Sequence, residues 1–370
     1  MSDIHVNIIS FNIPYPPDYG GLIDVFYKIK ALHAAGIKIH LHCFEYGRNK
    51  YRELEVLCEE VIYYKRKPMW KGFFSDKPFI VSSRNNKKLK ENLKANNYAI
   101  IFEGLHCCYY LDDPAFKYRK KIVRMHNDEA GYYLNLARNE KNILKKIYFY
   151  EEYRRLYKYE KVLQYADHIL CISHQEAEEY KKKFKHADYL APFHGNSKVT
   201  SVSGKGNYVL YHGNLSVNEN EMAALFLTED VFNDLPYSLF IAGKDPADSL
   251  IDEIKHPGVK LFTNPSVPEL HELMQNAHLH ILPAFTETGI KLKLLQSLFK
   301  GRFCIVNSAM VNNTGLEKYC FVADDAEQMK AAIHTTFEKE FSDTDLLFRK
   351  NIETEFSDTA EIQKLIALLR

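Results

Sequence analysis

Short apolar runs alternate with amphipathic helical stretches along this chain, and the alternation is passed through twice. Short runs that are apolar throughout are strands buried on both faces, and parallel strands joined by helices supply that burial. In the first half the candidate strands are residues 5–10, 38–44, 61–64, 99–103, 121–125 and 168–173, with helices such as 21–35 and 142–165 between them. Residues 193–207 break the pattern: they hold Gly195, Asn196, Ser197, Ser201, Ser203, Gly204 and Gly206 and no long apolar run, which reads as an interdomain linker. The alternation restarts with strands at 208–211, 237–242, 259–262, 279–283 and 303–307 and helices starting near Asn220, Val267, Ile290 and Ala326. A last helix, 359–369, has no strand after it. A chain of 370 residues is also long for one core. The expected fold class is therefore α/β, with two Rossmann-like domains facing across a cleft. They are residues 1–195 and 205–350, with a C-terminal helix of about 350–370 packing back on the first domain.

Composition excludes several classes. Hydrophobic residues at 46% and charged residues at 26% describe an ordinary globular protein, and a net charge of +1 gives no overall pull toward nucleic acid. The seven cysteines, Cys43, Cys58, Cys107, Cys108, Cys171, Cys304 and Cys320, form no CxxC pair, so neither a zinc site nor a disulfide framework is suggested. A reducing cytoplasm is the expected compartment. The N-terminus lacks a basic-then-apolar leader, and no apolar run approaches the roughly 20 residues of a membrane span.

Five segments carry candidate chemistry. The stretch from Thr288 to Arg302 follows the strand His278-Leu279-His280-Ile281-Leu282-Pro283 as a Thr/Gly loop and then a helix with Lys291 and Lys293 in its first turn. Helix-start amides plus lysines make an anion site, here for a phosphate or diphosphate. Lys291 and Lys293 do not share a helical face, whereas Gln296, three beyond Lys293, does, and its amide suits a ribose hydroxyl. Glu287 and Thr288 could reach sugar hydroxyls; the bland alternative is a surface helix with scattered lysines. Gly20 and Gly21 end the loop Pro14-Tyr15-Pro16-Pro17-Asp18-Tyr19 at the first strand-to-helix crossing, where glycines let backbone approach a phosphate or simply build a turn. Arg124-Met125-His126-Asn127-Asp128-Glu129 closes a strand, so its polar groups point into the cleft; otherwise Asn127 or Asp128 merely caps the next helix. Tyr211-His212-Gly213-Asn214-Leu215-Ser216 occupies the matching place in the second domain, with Gly243 and Lys244 at a further strand end. Finally, residues 65–74 mix Lys65, Arg66, Lys67 and Lys71 with Trp70, Phe73 and Phe74, and Arg84, Lys87, Lys88, Lys90 and Lys94 follow. The 141–161 helix adds more Tyr, Lys and Arg, and such a surface suits anionic lipid headgroups at the inner face of the cell membrane, or is a solvated face.

Gly20-Gly21, Arg124-x-His126-Asn127-x-Glu129, His212-Gly213-Asn214-Leu215-Ser216-Val217-x-Glu219-Asn220 and Thr288-Gly289-Ile290-Lys291-x-Lys293-x-Leu295-Gln296 together resemble a bacterial GT-B glycosyltransferase of the retaining family 4 type (glycosyl transferases group 1). The resemblance implies transfer of a sugar from a nucleotide diphosphate donor to a glycan or lipid-linked acceptor in surface polysaccharide synthesis. It implies no metal and no cofactor beyond the donor, since helix dipoles and basic side chains meet the leaving diphosphate. Carried over, Lys293 contacts the diphosphate, Gln296 takes the place of the ribose-binding glutamate, His126 sits near the transferred sugar, and the Gly20-Gly21 loop borders diphosphate and acceptor. The chain departs from the family's E-x7-E pair: Gln296 replaces the second acid, Thr288 stands eight residues earlier, and Glu287 is one off register. Asn214 and Asn220 stand where relatives keep Arg and Lys, a loss that Lys291 or Lys244 would compensate. The residues alone leave two alternatives, a sugar-nucleotide epimerase of the same architecture and a catalytically silent nucleotide- or glycan-binding partner.

Overall fold

A computed structural model describes residues 4–68, 75–285 and 292–370. The chain divides into two compact units, Met1–Phe193 with Asp358–Arg370, and His194–Ser357. In the first unit, seven strands, β1 (His5–Ser10), β2 (Lys38–Glu45), β3 (Glu60–Lys65), β4 (Ala99–Glu103), β5 (Lys121–Arg124), β6 (His168–Cys171) and β7 (Ala187–Tyr189), form one sheet in the order β3-β2-β1-β4-β5-β6-β7. The second unit holds a six-stranded sheet of β8 (Tyr208–Asn214), β9 (Ser238–Lys244), β10 (Val259–Thr263), β11 (Leu279–Leu282), β12 (Phe303–Val306) and β13 (Phe321–Val322), ordered β10-β9-β8-β11-β12-β13. Every pairing in both sheets is parallel. Counted from its own first strand, each domain winds in the doubly wound Rossmann order, which reverses direction between β1 and β4 in one sheet and between β8 and β11 in the other. Ligands in such sheets lie outside the carboxyl ends of the strands at that reversal.

The apolar strands are buried on both sides, as their composition requires. Along β1, Val6 and Ile8 join one core and Ile9 the opposite one; Ile101 and Ile122 join the first, and Ile100, Phe102 and Val123 the second. The first core also takes in the helix Gly20–Ala34 through Val25, Ile29 and Leu32, and the last helix, Asp358–Leu369, through Ile362, Leu365, Ile366 and Leu369. The Glu361 carboxylate on that helix accepts from the Ala191 amide at 2.7 Å, so the chain's end completes a domain begun at its start.

Residues 194–204, within the 193–207 stretch that composition marks as linker, are hydrogen-bonded into the second domain. Val199 N–H donates to Glu353 at 2.7 Å, Thr200 N–H to the Phe299 carbonyl at 2.7 Å, and the Ser201 hydroxyl to the Gly301 carbonyl at 2.6 Å. Gly and Ser here permit an irregular path that is nonetheless anchored. The edge strands β7 and β13, three and two residues long, are too short to show any periodicity in the sequence. The seven cysteines are all unpaired. Among the described residues no helix is long and apolar enough to cross a membrane.

Candidate functional site

At the β1/β4 reversal the first domain buries a set of charges. Asp24 and Lys28 come from the helix Gly20–Ala34, one turn apart, Glu103 ends β4, Arg124 ends β5, and His126 follows. Lys28 Nζ lies 3.0 Å from Asp24 Oδ2 and 2.9 Å from Glu103. The Arg124 guanidinium donates to both Asp24 oxygens, Nε at 3.1 Å and Nη2 at 2.9 Å, and to the carbonyls of Leu190 and Ala191 at 2.7 and 3.1 Å. The Phe193 amide adds a fourth bond to Asp24 at 2.8 Å. His126 Nε2 is 2.8 Å from Glu103 Oε2, and its Nδ1 is 3.6 Å from Asp24. Burial alone would raise the Asp24 carboxyl, but Arg124, Lys28 and His126 outweigh it and hold it well below the usual carboxylate range. Glu103 is likewise lowered, by Lys28 and His126 against its burial.

Asp24, Glu103 and His126 bring ligand atoms within 4.8 Å of one another, the spacing of a metal site. Two cations already neutralise the two carboxylates, however, and a divalent ion would have to displace Lys28 or Arg124. The arrangement is a charge-balanced buried network that fixes the His126 ring. It also corrects the expectation that Arg124, as a polar group at a strand end, points out toward ligand: the side chain is buried and saturated by Asp24 and main-chain carbonyls.

Beside His126 stand Phe11 and His106, which the motifs did not single out, and Glu129, which they did. Phe11, just past β1, packs edge-on to His126 and against His106. His106 Nε2 is 3.7 Å from Glu129, whose carboxyl, in the first turn of the helix Glu129–Asn139, is pushed up by burial to about 8. The sequence signal was available: two acids and two histidines clustering at strand ends, in Glu103-x-x-His106 and His126-x-x-Glu129. Asn127 is half-buried at the start of this segment, and Asp128 is the N-cap of the helix, its carboxylate accepting from the Gly131 amide at 3.0 Å. Gly20 opens its helix with no side-chain cap and no acid in the first turn, which leaves the helix start favourable to an anion. At Gly21 a Cβ would lie 2.9 Å from the Phe11 ring.

The second domain gathers the other candidates at the β8/β11 reversal. Lys293, in the helix Leu292–Lys300, donates from Nζ to Asn220 Oδ1 at 2.9 Å and lies over the Tyr211 ring, 5.2 Å from its centroid. Asn220 in turn donates to the Asn214 carbonyl at 2.9 Å, and Gly213 leaves room for it: a Cβ there would sit 3.2 Å from the Asn220 amide carbon. Gly213, Asn214, Asn220 and Lys293 are thus one constellation at the end of β8. Gln296 lies on the same helical face as Lys293, half-buried. His212 turns inward instead: its ring donates to Ser297 Oγ at 2.9 Å, Ser297 donates to His280 Nδ1 at 3.0 Å, and His280 Nε2–H reaches the Met274 carbonyl at 2.9 Å. Burial holds His212 well below its ordinary value and His280 at about 4, so both rings are neutral and this polarity of the chain is the one that satisfies all four groups. The chain ties β8 and β11 to the Lys293 helix.

Lys244 is exposed at the end of β9. Gly243 has a packing reason for being glycine, since a Cβ would meet Leu215 Cγ at 2.4 Å and the Gly213 carbonyl at 2.5 Å. Gly243→Ala is expected to destabilise the second domain by about 1–3 kcal/mol, read as a lower urea midpoint with unchanged slope. Glu287, Thr288, Gly289, Ile290 and Lys291, and Trp70 and Lys71 of the basic-aromatic segment, lie outside the described residues. Arg84, counted with that segment in the sequence, is buried and donates to the carbonyls of Phe11 and Ile80.

Two family models match, one on each domain: "Glycosyltransferase Family 4" over residues 25–189 and "Glycosyl transferases group 1" over 206–339. A Klebsiella pneumoniae protein described as "Uncharacterized 44.6 kDa protein in cps region" is 26% identical, the match covering 83% of this chain and 84% of that one. Among solved structures, a glycosyltransferase from Rickettsia africae superposes with a TM-score of 0.65 at 12% identity, covering 100% of this chain and 98% of that one. Anabaena HepE, in complex with UDP and glucose, gives 0.66 at 10% identity, covering 98% of each chain. At such identities the superpositions establish the fold, and the family matches carry the chemistry. With one model on each Rossmann-like domain, the chain is a glycosyltransferase of GT-B architecture, of the family 4 and group 1 kind.

Proposed function

We propose that the protein moves a sugar from a nucleotide diphosphate donor to a glycan or lipid-linked acceptor, with retention, in cell-surface polysaccharide synthesis. The observation that carries this reading is the Lys293 ammonium, set at the β8/β11 reversal by Asn220 and Tyr211. That is the place where a doubly wound sheet receives a phosphate-bearing ligand. The UDP and glucose bound to HepE, and the Klebsiella relative's place in a cps region, support the donor class and the pathway class.

In this reading the second domain holds the donor. Lys293 meets the diphosphate together with Lys291, Lys244 and the amides of Gly289 and Ile290. Gly213, Asn214 and Gln296 face the nucleoside, and Glu287 and Thr288 face the sugar hydroxyls. The first domain holds the acceptor near Asn127, where His126 is its candidate group for a sugar and the Gly20-Gly21 helix start its candidate group for an anion. As the anomeric C–O bond to the diphosphate breaks, the acceptor oxygen bonds to that carbon on the same face, and its proton passes to the departing diphosphate. Negative charge grows on the leaving oxygens, and fixed positive groups that meet it lower the barrier. In this reading Lys293 and the other basic side chains meet that charge, and no metal ion is called for.

The test is to incubate the full chain with a panel of labelled nucleotide-sugars, with and without a membrane lipid and glycan extract. Acceptor-dependent incorporation of label, with release of nucleoside diphosphate, is the expected result. Epimerised nucleotide-sugar without acceptor would establish the epimerase instead, and calorimetric binding with no turnover would establish a silent partner.

A further inference from the structure

We propose that the two-helix hairpin of the first domain docks the protein on an anionic lipid surface through its tip. The hairpin consists of the helices Glu129–Asn139 and Ile143–Tyr159, packed on each other with the Tyr133 and Phe149 rings 6.1 Å apart. The second helix begins at the tip, where the Asn142 side chain accepts from the Leu144 and Lys145 amides at 3.0 and 3.2 Å. All seven residues from Lys141 to Ile147 are exposed. Ile143, Leu144 and Ile147 keep 65%, 75% and 60% of their surface open to water. Water-facing aliphatic residues are ordinary singly, but three within two helical turns form a patch that calls for an occupant.

Charge identifies that occupant. Lys141, Lys145 and Lys146 interleave with the three aliphatic residues, and none of them pairs with an acid among the described residues. With Arg138, residues 138–147 carry four basic side chains against the single acid Glu140. The exposed stripe continues along the helix as Tyr150, Arg154 and Tyr157, spaced three and four residues apart from Ile147 onward. Aliphatic side chains that enter the acyl boundary, lysines that snorkel back to phosphates and tyrosines at headgroup depth form a coherent interfacial element. The helix lies on the surface and does not cross it. This places the membrane contact on the 138–157 hairpin, whereas the sequence alone pointed first to the segment around Trp70. The proposal rests on the reading of a lipid-linked acceptor, which a docked first domain would meet at the surface that holds it.

The test is flotation of the full chain with vesicles of phosphatidylcholine alone or containing phosphatidylglycerol, with no nucleotide-sugar present. The wild type is expected to float with the anionic vesicles only, and to be released as salt rises. Lys145→Glu with Lys146→Glu should weaken binding by about fivefold or more for each lysine changed. Ile143→Ser, Leu144→Ser and Ile147→Ser combined should abolish flotation at low salt as well. All these positions are exposed, so the variants keep the wild-type melting midpoint and the same turnover with a water-soluble acceptor. A wild type that does not float, variants that float as the wild type does, or a wild-type dimer that the serine variant disperses would each overturn the proposal. Flotation needs no sugar transfer, so its failure is distinct from a failure of the glycosyltransferase reading.

Discussion

Asp24→Asn is expected to destabilise the first domain by about 3–5 kcal/mol, the cost of leaving buried charge uncompensated. Asp24 accepts from Arg124 twice, from Lys28 and from the Phe193 amide, all within 3.1 Å. An amide keeps the shape but turns an NH2 group toward donors, and among the described residues Glu103 is then the one remaining counter-charge in contact with Lys28. The effect carries a pH signature. Asp24 and Glu103 both have folded values below their unfolded ones, because Arg124, Lys28 and His126 outweigh burial at the first and Lys28 and His126 at the second. Their contribution is therefore complete above the unfolded values of about 3.9 and 4.3, and is lost as pH falls through the folded values. Glu129 and Glu176 run the other way: burial raises them to about 8 and about 7, so their contribution fades as pH climbs from the unfolded value through those points. The clean readout is the difference between wild type and variant in chemical denaturation. It should be flat from pH 7 to 5 and shrink below about pH 4. A difference under about 1 kcal/mol at pH 7 would show that the network does not hold this domain together.

The same network marks where the sequence stops being informative. Strands whose apolar character comes from burial on both faces, such as Ala99–Glu103 and Phe303–Val306, announce themselves because every residue answers to the same solvent. The constellation at Gly213 and Lys293 was legible in part, since loop glycines and a helix-start lysine follow from local backbone chemistry. Asp24 and Lys28 were not: at a spacing of four they look like a solvated surface pair. Their burial depends on Glu103, 75 residues away from Lys28, and Arg124, 100 residues from Asp24. The available hint was that both lie among Leu22, Val25, Phe26, Ile29 and Leu32, the apolar face of one helix. Arg124 misled for a related reason. A polar residue at a strand end points toward ligand only if nothing nearer saturates it, and here the carbonyls of Leu190 and Ala191 do so. The exposed hairpin tip was readable as basic and aromatic, but whether Ile143 and Leu144 were covered is a tertiary fact.

Lys293→Ala is expected to lower kcat/KM for sugar transfer by about 100- to 1,000-fold, the range for removing one fixed group that meets developing negative charge. The ammonium is held rather than merely present: Asn220 Oδ1 accepts from it at 2.9 Å, and the Tyr211 ring lies beneath it. Burial raises the Tyr211 hydroxyl, which stays neutral, so the ring offers its π face and an oxygen without adding a charge that would neutralise the lysine. Held in this way, the cation needs little reorganisation as the diphosphate leaves, and charge is greater on the leaving group in the transition state than in the bound donor. The loss should accordingly fall mainly on kcat, with donor KM changing less. Asn220→Ala, which takes away one of the ammonium's contacts and leaves the charge in place, should cost less than Lys293→Ala. Lys293→Arg should rescue only part of the rate, because a planar fork cannot keep both the Asn220 contact and the position over the Tyr211 ring. A purely structural lysine would instead lower the melting midpoint and leave the rate per folded molecule unchanged. Equal kcat/KM in wild type and Lys293→Ala would remove the residue from the chemistry, and with it the observation on which the location of the donor site rests.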